Sequence, residues 1–256
     1  MKYLKSFTAM SSWSRAIGSS SSSAKTSSSS SFPEGVVDPS TVVMGTLTDE
    51  RDGKIYKTVK IGEQVWMAEN LNYAYTDVPY TSNTGYYKSD STSWCYNNST
   101  ENCSQYGRLY TWAAAMDSLG TWSESGKGCG FGSTECTTTL PVRGICPEGW
   151  HLPTKTEWET LFTSVGGEST AGKMLKTKGT WMGDGGTDAY SFSARSAGVR
   201  FYSTGFGCLP TNTYFWSSTE FNSYNAYYIG LSYANGKVNL SFDFMGYGNS
   251  VRCVKD

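Results

Sequence analysis

A single histidine, His151, limits what this 256-residue chain can do. Any metal site built on two imidazoles is excluded, and a hydrolytic triad has one base to choose from. His151 lies shortly after Cys146, a thiol and a base in one phrase, yet its place just before a helix start reads as a packing or hydrogen-bonding position. Asp184 and Asp188 stand in GDGGTDAY, where two carboxylates on a glycine-rich turn can ligate Ca²⁺ together with backbone carbonyls. The dense acidic spacing of an EF-hand loop is missing, and Asp in such a turn serves more often as an Asx-turn former. Glu157 and Glu159 fall on one helix and Glu220 near a strand end, so no carboxylate pair is set to converge on a glycosidic bond. What remains is aromatic. Nine Trp and 18 Tyr offer flat apolar rings, many with polar edges, a shape that suits pyranose faces. Trp181, Tyr202, Tyr214 and Tyr224 lie on expected loops or strand ends and form the candidate sugar-binding set. Trp66, Trp112, Trp158 and Trp216 sit in hydrophobic phrases and read as core.

Lys and Arg number 21 against 22 Asp and Glu, so the chain lacks the basic footprint of a nucleic-acid or anionic-membrane binder. No stretch is apolar and long enough to span a membrane. Seven cysteines, Cys95, Cys103, Cys129, Cys136, Cys146, Cys208 and Cys253, are typical of an oxidising compartment. An extracellular or cell-envelope location is therefore expected, although Met1 to Gly18 shows no apolar run of signal-peptide length; cysteine usage favours a true start upstream. No cysteine near Met1 offers a lipid anchor.

These candidates need elements to hold them. Residues 1–44 read as a disordered N-terminal segment whose serine tract, 19–31, cannot bury enough apolar surface to offset ordering entropy and serves as a tether. A single domain is expected from Gly45 to Asp256. VKIGEQVWMAEN (59–70) reads as a hairpin turning at Gly62. Leu109, Trp112, Ala113, Met116 and Leu119 recur at helical spacing and predict a helix over 108–119, with small alanines suited to close packing. Thr154 with Glu157 forms a capping box for a second helix carrying Trp158, Leu161, Phe162 and Val165 on one face. A third helix is expected over 170–176, despite Gly172. Tyr227 to Tyr233 and Val238 to Phe244 predict a hairpin joined by a type I′ turn at Asn235-Gly236, and a last strand, 250–255, completes a three-stranded meander. The fold class expected is α+β.

Local phrases add a resemblance. DGKIYKTVKIGEQVWMAENLNY (52–73), YGRLYTWAAAMDS (106–118), RGICPEGWHLPTKTEWETL (143–161), GTDAYSFSA (186–194), YFWSSTE (214–220) and SVRCVKD (250–256) resemble, in this order, the Fibrobacter succinogenes major paralogous domain. The resemblance implies a fold similar to C-type lectins and the formylglycine-generating enzyme: two main helices, a small twisted antiparallel sheet and long Gly- and aromatic-rich loops. It also implies a secreted module displayed after a serine-rich linker, and leaves activity open. In that fold Cys146 and Cys253 are suited to bridge the first helix region to the closing strand. Short loops then suggest Cys95 with Cys103 and Cys129 with Cys136, one of about a hundred possible pairings, leaving Cys208 single. The lectin calcium motifs EPN, QPD and WND are absent, which weighs against calcium-dependent sugar binding. Three readings follow: a non-catalytic module binding a polysaccharide or surface partner, a structural envelope domain meeting another protein, and an enzyme of the formylglycine-generating type, which would need a reactive Cys208 or a bound metal. The first is the expectation.

Overall fold

In the computed structural model, which describes residues 32–76, 92–133, 136–183 and 185–256, the chain begins with two antiparallel hairpins. Strand β1 (Val43–Asp49) pairs along its whole length with β2 (Lys54–Ile61), and β2 turns through Gly62, φ 61°, into β3 (Gln64–Met67). The hairpin read from 59–70 is present, with Val59 opposite Trp66. Order starts before Gly45: Val37 packs on the core and its N–H donates to Ser164 O at 2.9 Å. The serine tract, 19–31, lies outside the described residues.

The chain continues through β4 (Ser93–Trp94), α1 (Thr100–Tyr106), β5 (Leu109–Tyr110), α2 (Trp112–Ala115), β6 (Trp150–His151), α3 (Lys155–Ser164) and α4 (Glu168–Leu175). It ends with β7 (Val199–Phe201), β8 (Gly205–Gly207), β9 (Asn212–Asn222), β10 (Asn225–Ser232), β11 (Val238–Phe244) and β12 (Val254–Lys255). These make a five-stranded sheet in the order β1-β2-β3-β12-β6, a three-stranded meander β11-β10-β9 and two short ribbons, β4-β5 and β7-β8. All pairings within the sheets are antiparallel. The α+β expectation of two main helices and a small sheet is overturned: among the described residues twelve strands in four sheets dominate, and the longest helix, α3, has ten residues. Several strands span only two or three residues, too short to leave an alternation in the sequence.

The meander lies at the centre because both its faces are apolar. Phe215, Ile229 and Leu231 join one core with Trp66, Trp158 and Phe162; Trp216, Ala226 and Tyr228 join a second with Trp112, Met116 and the Cys146–Cys253 disulfide. Trp66, Trp112, Trp158 and Trp216 are all buried.

Three local expectations change. The helix over 108–119 is replaced by β5 and the single turn α2, because residues 109–118 are buried throughout and Leu109 and Tyr110 pair with Trp94 and Ser93. The turn between β10 and β11 is a five-residue connection, not a type I′ pair. Helix α4 docks on it: Lys176 Nζ donates to Ser232 O (2.5 Å) and Asn235 O (2.8 Å), and Lys173 N–H to Gly236 O (2.9 Å). The last strand joins β3 and β6 in the larger sheet, not the meander, which β9 completes instead. Helix α3 starts at its capping box, Thr154 with Glu157, and α4 covers the third expected helix.

Buried charge is satisfied mainly by backbone. Arg252 donates to Asn70 Oδ1 (2.7 Å), Met67 O (3.0 Å), Ser193 O (2.9 Å) and Phe192 O, and burial pushes its guanidinium down to about 9. The buried carboxylate of Asp117 accepts the N–H groups of Thr121, Trp122 and Ser123 and the Tyr75 hydroxyl, organising the turn after α2.

Candidate functional site

The turn between β9 and β10 presents an aromatic surface. Asn222 Oδ1 accepts the N–H groups of Tyr224 and Asn225, both at 2.9 Å, an Asx turn that lifts Tyr224 to 50% exposure. Its ring rests on Phe131, centroids 5.2 Å apart; Phe131 meets Phe244 at 4.8 Å, and Phe244 meets Tyr202 at 5.7 Å. Tyr202, 38% exposed, lies in the turn between β7 and β8. Two exposed tyrosines are thus mounted on buried and half-buried phenylalanines. Edge-to-face and tilted packing of this kind fixes ring planes and lowers the entropy cost of stacking on a ligand.

The mount is held by covalent and backbone links. Cys129–Cys136 brackets Phe131, Gly132 N–H donates to Ser223 O (2.7 Å), and Met245 N–H donates to Tyr224 O (3.0 Å). Beyond the N-terminal end of α3, the helix-covered face of the meander runs on into Phe221 and Phe242, 43% and 45% exposed, stacked at 3.7 Å beside Tyr227. Lys155 Nζ lies 5.6 Å from the Tyr227 ring.

The four aromatic candidates divide. Tyr202 and Tyr224 stand at the two ends of the ring series. Trp181 is 5% exposed, donates through Nε1 to Ala194 O (3.1 Å) and offers no open face. Tyr214 is half-buried against Tyr228, its hydroxyl 3.9 Å from Cys208 Sγ, and burial, reinforced by that thiol, raises its pKa. Phe131 and Phe244 were missed as supports because strand alternation makes Phe244 core, and nothing in the sequence joins residue 131 to the meander. Its bracketing cysteines were the available signal.

The Asp188 carboxylate accepts both the Ser193 N–H (2.7 Å) and the Ser193 hydroxyl (2.9 Å), an engagement within its own turn. Asp184 lies outside the described residues. No group of three or more His, Cys, Asp or Glu arranged to hold a metal ion occurs among the described residues. His151 lies between Glu157 (Nε2 to Oε1, 2.7 Å) and Asp256 (Nδ1 to Oδ1, 2.6 Å), at the entry to α3. The disulfides Cys95–Cys103, Cys129–Cys136 and Cys146–Cys253 form as proposed, and Cys208 is the free cysteine.

Fold and site together define a β-rich, disulfide-pinned domain with an aromatic surface at one end of its central meander. The chain belongs to the Fibrobacter succinogenes major domain family, whose model matches residues 59–255. No curated protein and no solved structure matches it. No helix among the described residues is long and apolar enough to cross a membrane.

Proposed function

We propose that this chain is a non-catalytic binding module of an extracellular or cell-envelope setting, displayed on its serine-rich tether and holding a polysaccharide on the Tyr202–Phe244–Phe131–Tyr224 ridge. The observation that supports this most is the pair of exposed, rigidly mounted tyrosines at the ends of that ridge. Such rings stack on sugar faces, while their hydroxyls bond to sugar hydroxyls. Three disulfides fit an oxidising compartment.

A surface-protein partner is the second reading, favoured by the stacked Phe221 and Phe242, which are exposed and lack polar edges. Retention of the oxidised chain on insoluble cellulose, on xylan and on intact envelopes, with and without EDTA, separates the two. The first reading predicts retention on at least one polysaccharide that survives EDTA. Retention on envelopes alone supports the protein-partner reading and overturns the first. Loss on adding EDTA makes the contact metal-dependent, contrary to a stacking ridge.

A further inference from the structure

A concave surface lies apart from the ridge. Strand β2, the segment that follows β3, helix α1, the loops carrying Thr177, Ser193 and Arg195, and Arg252 enclose a cleft of about 290 Å³. That is near the lower end of the range of about 300 to 1,000 Å³ usual for small-molecule clefts. Four cations line it, Lys54, Lys57, Arg195 and Arg252, against one carboxylate, Glu69. Lys54 pairs with Asp52 (2.7 Å), and Arg252 is bound to an amide oxygen and backbone carbonyls. Among the described residues Lys57 and Arg195 have no ion pair. Glu69 does not neutralise them by contact; its Oε2 accepts the Lys57 backbone N–H at 2.7 Å. The buried Arg252 charge has no carboxylate bonded to it, and adds positive potential in a wall of low dielectric.

The remaining lining is neutral and polar. The side-chain amides of Asn72 and Gln105 make no hydrogen bond among the described residues, so four N–H donors and two acceptors stand ready at the rim. The α1 wall is fixed by Cys95–Cys103, and Arg108, donating to Ser93 Oγ (2.8 Å) and Ser93 O (3.1 Å), braces it against β4. An excess of positive charge calls for an anion. The free amides and the volume call for an uncharged, hydrogen-bonding body attached to it.

We propose that this cleft binds an acidic sugar, a monosaccharide-sized ligand rich in hydroxyls and bearing one anionic group, held at that group by Lys57 and Arg195 and along its hydroxyls by Asn72 and Gln105. The site is separate from the ridge and does not depend on polysaccharide stacking there. Calorimetric titration of the full oxidised chain with glucuronate, glucose 6-phosphate, glucose and inorganic phosphate tests it. The expected result is binding of glucuronate, glucose 6-phosphate or both, at least about tenfold tighter than glucose or inorganic phosphate. The preferred acid then tells whether the anionic group is a carboxylate or a phosphate ester. Affinity falls at least about tenfold in Lys57→Gln/Arg195→Gln, two exposed positions whose replacement leaves the unfolding midpoint unchanged, and is kept in Tyr202→Ala/Tyr224→Ala. The proposal is overturned if neither acidic sugar binds, if glucose or inorganic phosphate binds as tightly, or if the Lys57/Arg195 variant retains full affinity.

Discussion

At the residue scale, the lone histidine is a structural link. Burial lowers the His151 pKa, but hydrogen bonds to Glu157 and Asp256 outweigh it and leave the value raised. Burial raises the Glu157 pKa, while the bonds from His151 and Thr154 outweigh that and leave it lowered. The signs set the pH window. A raised histidine contributes stability that is whole below its ordinary pKa of about 6.5 and lost as pH climbs through the raised value. A lowered glutamate contributes stability present above the ordinary carboxylate range and lost as pH falls through the lowered value. The link between β6 and α3 is therefore strongest in weakly acidic solution. Urea unfolding of the wild-type chain and of His151→Asn across pH should show the largest stability difference near about pH 6, shrinking by about pH 9 and again in strong acid. A constant difference at all pH values contradicts this assignment. His151 was readable from the sequence as a helix-entry residue; its second partner, Asp256, was not, because the pairing of β12 with β6 brings the two together.

Elements were legible where the sequence encodes them locally. The capping box of α3 and the Gly62 turn rest on neighbouring residues and appear as read. Tertiary contacts decided the rest. Periodicity over 109–119 matches a helix, yet residues 109–118 are buried throughout, Leu109 and Tyr110 pair with β4, and Tyr110 also bridges to Asn249. Gly144 shows how tight that region is: a Cβ there would lie 2.2 Å from Ala115 O. Gly172 obeys the same logic. In isolation Ala is the better helix former by roughly 1 kcal/mol. In α4, however, a Cβ at 172 would lie 2.4 Å from Lys237 O and 2.8 Å from Gly236 O, the connection on which the helix docks. Gly172→Ala should therefore destabilise the fold by about 1 to 3 kcal/mol in chemical unfolding, against its propensity. A variant as stable as the parent refutes the docking argument.

Across the whole molecule, the disulfides tie together what short strands cannot. Cys146–Cys253 joins positions 107 apart in sequence, whereas Cys95–Cys103 and Cys129–Cys136 close separations of 8 and 7. By loop entropy the long bridge is worth roughly 5 kcal/mol and each short one roughly 2.5 kcal/mol. Cys146→Ser/Cys253→Ser should therefore lower the unfolding midpoint much more than either short-loop pair; equal losses contradict that ranking. Cysteine pairing was legible through the resemblance and short spacings. The architecture was not: alternation marks β10 and β11 as the hairpin that forms, but β9, buried on both faces over 215–218, and the two-residue strands leave no such pattern, and the meander's aromatic ends look like core. For the same reason two of four aromatic candidates reached the ridge while the phenylalanines that mount them were missed. The proposal that Tyr202 and Tyr224 hold a polysaccharide is tested most directly by a binding isotherm on xylan and cellulose for the oxidised chain beside Tyr202→Ala/Tyr224→Ala. We predict saturable binding to at least one polysaccharide by the parent and at least about a tenfold loss in the variant, with an unchanged unfolding midpoint. Equal binding by both chains, or none by the parent, would contradict it.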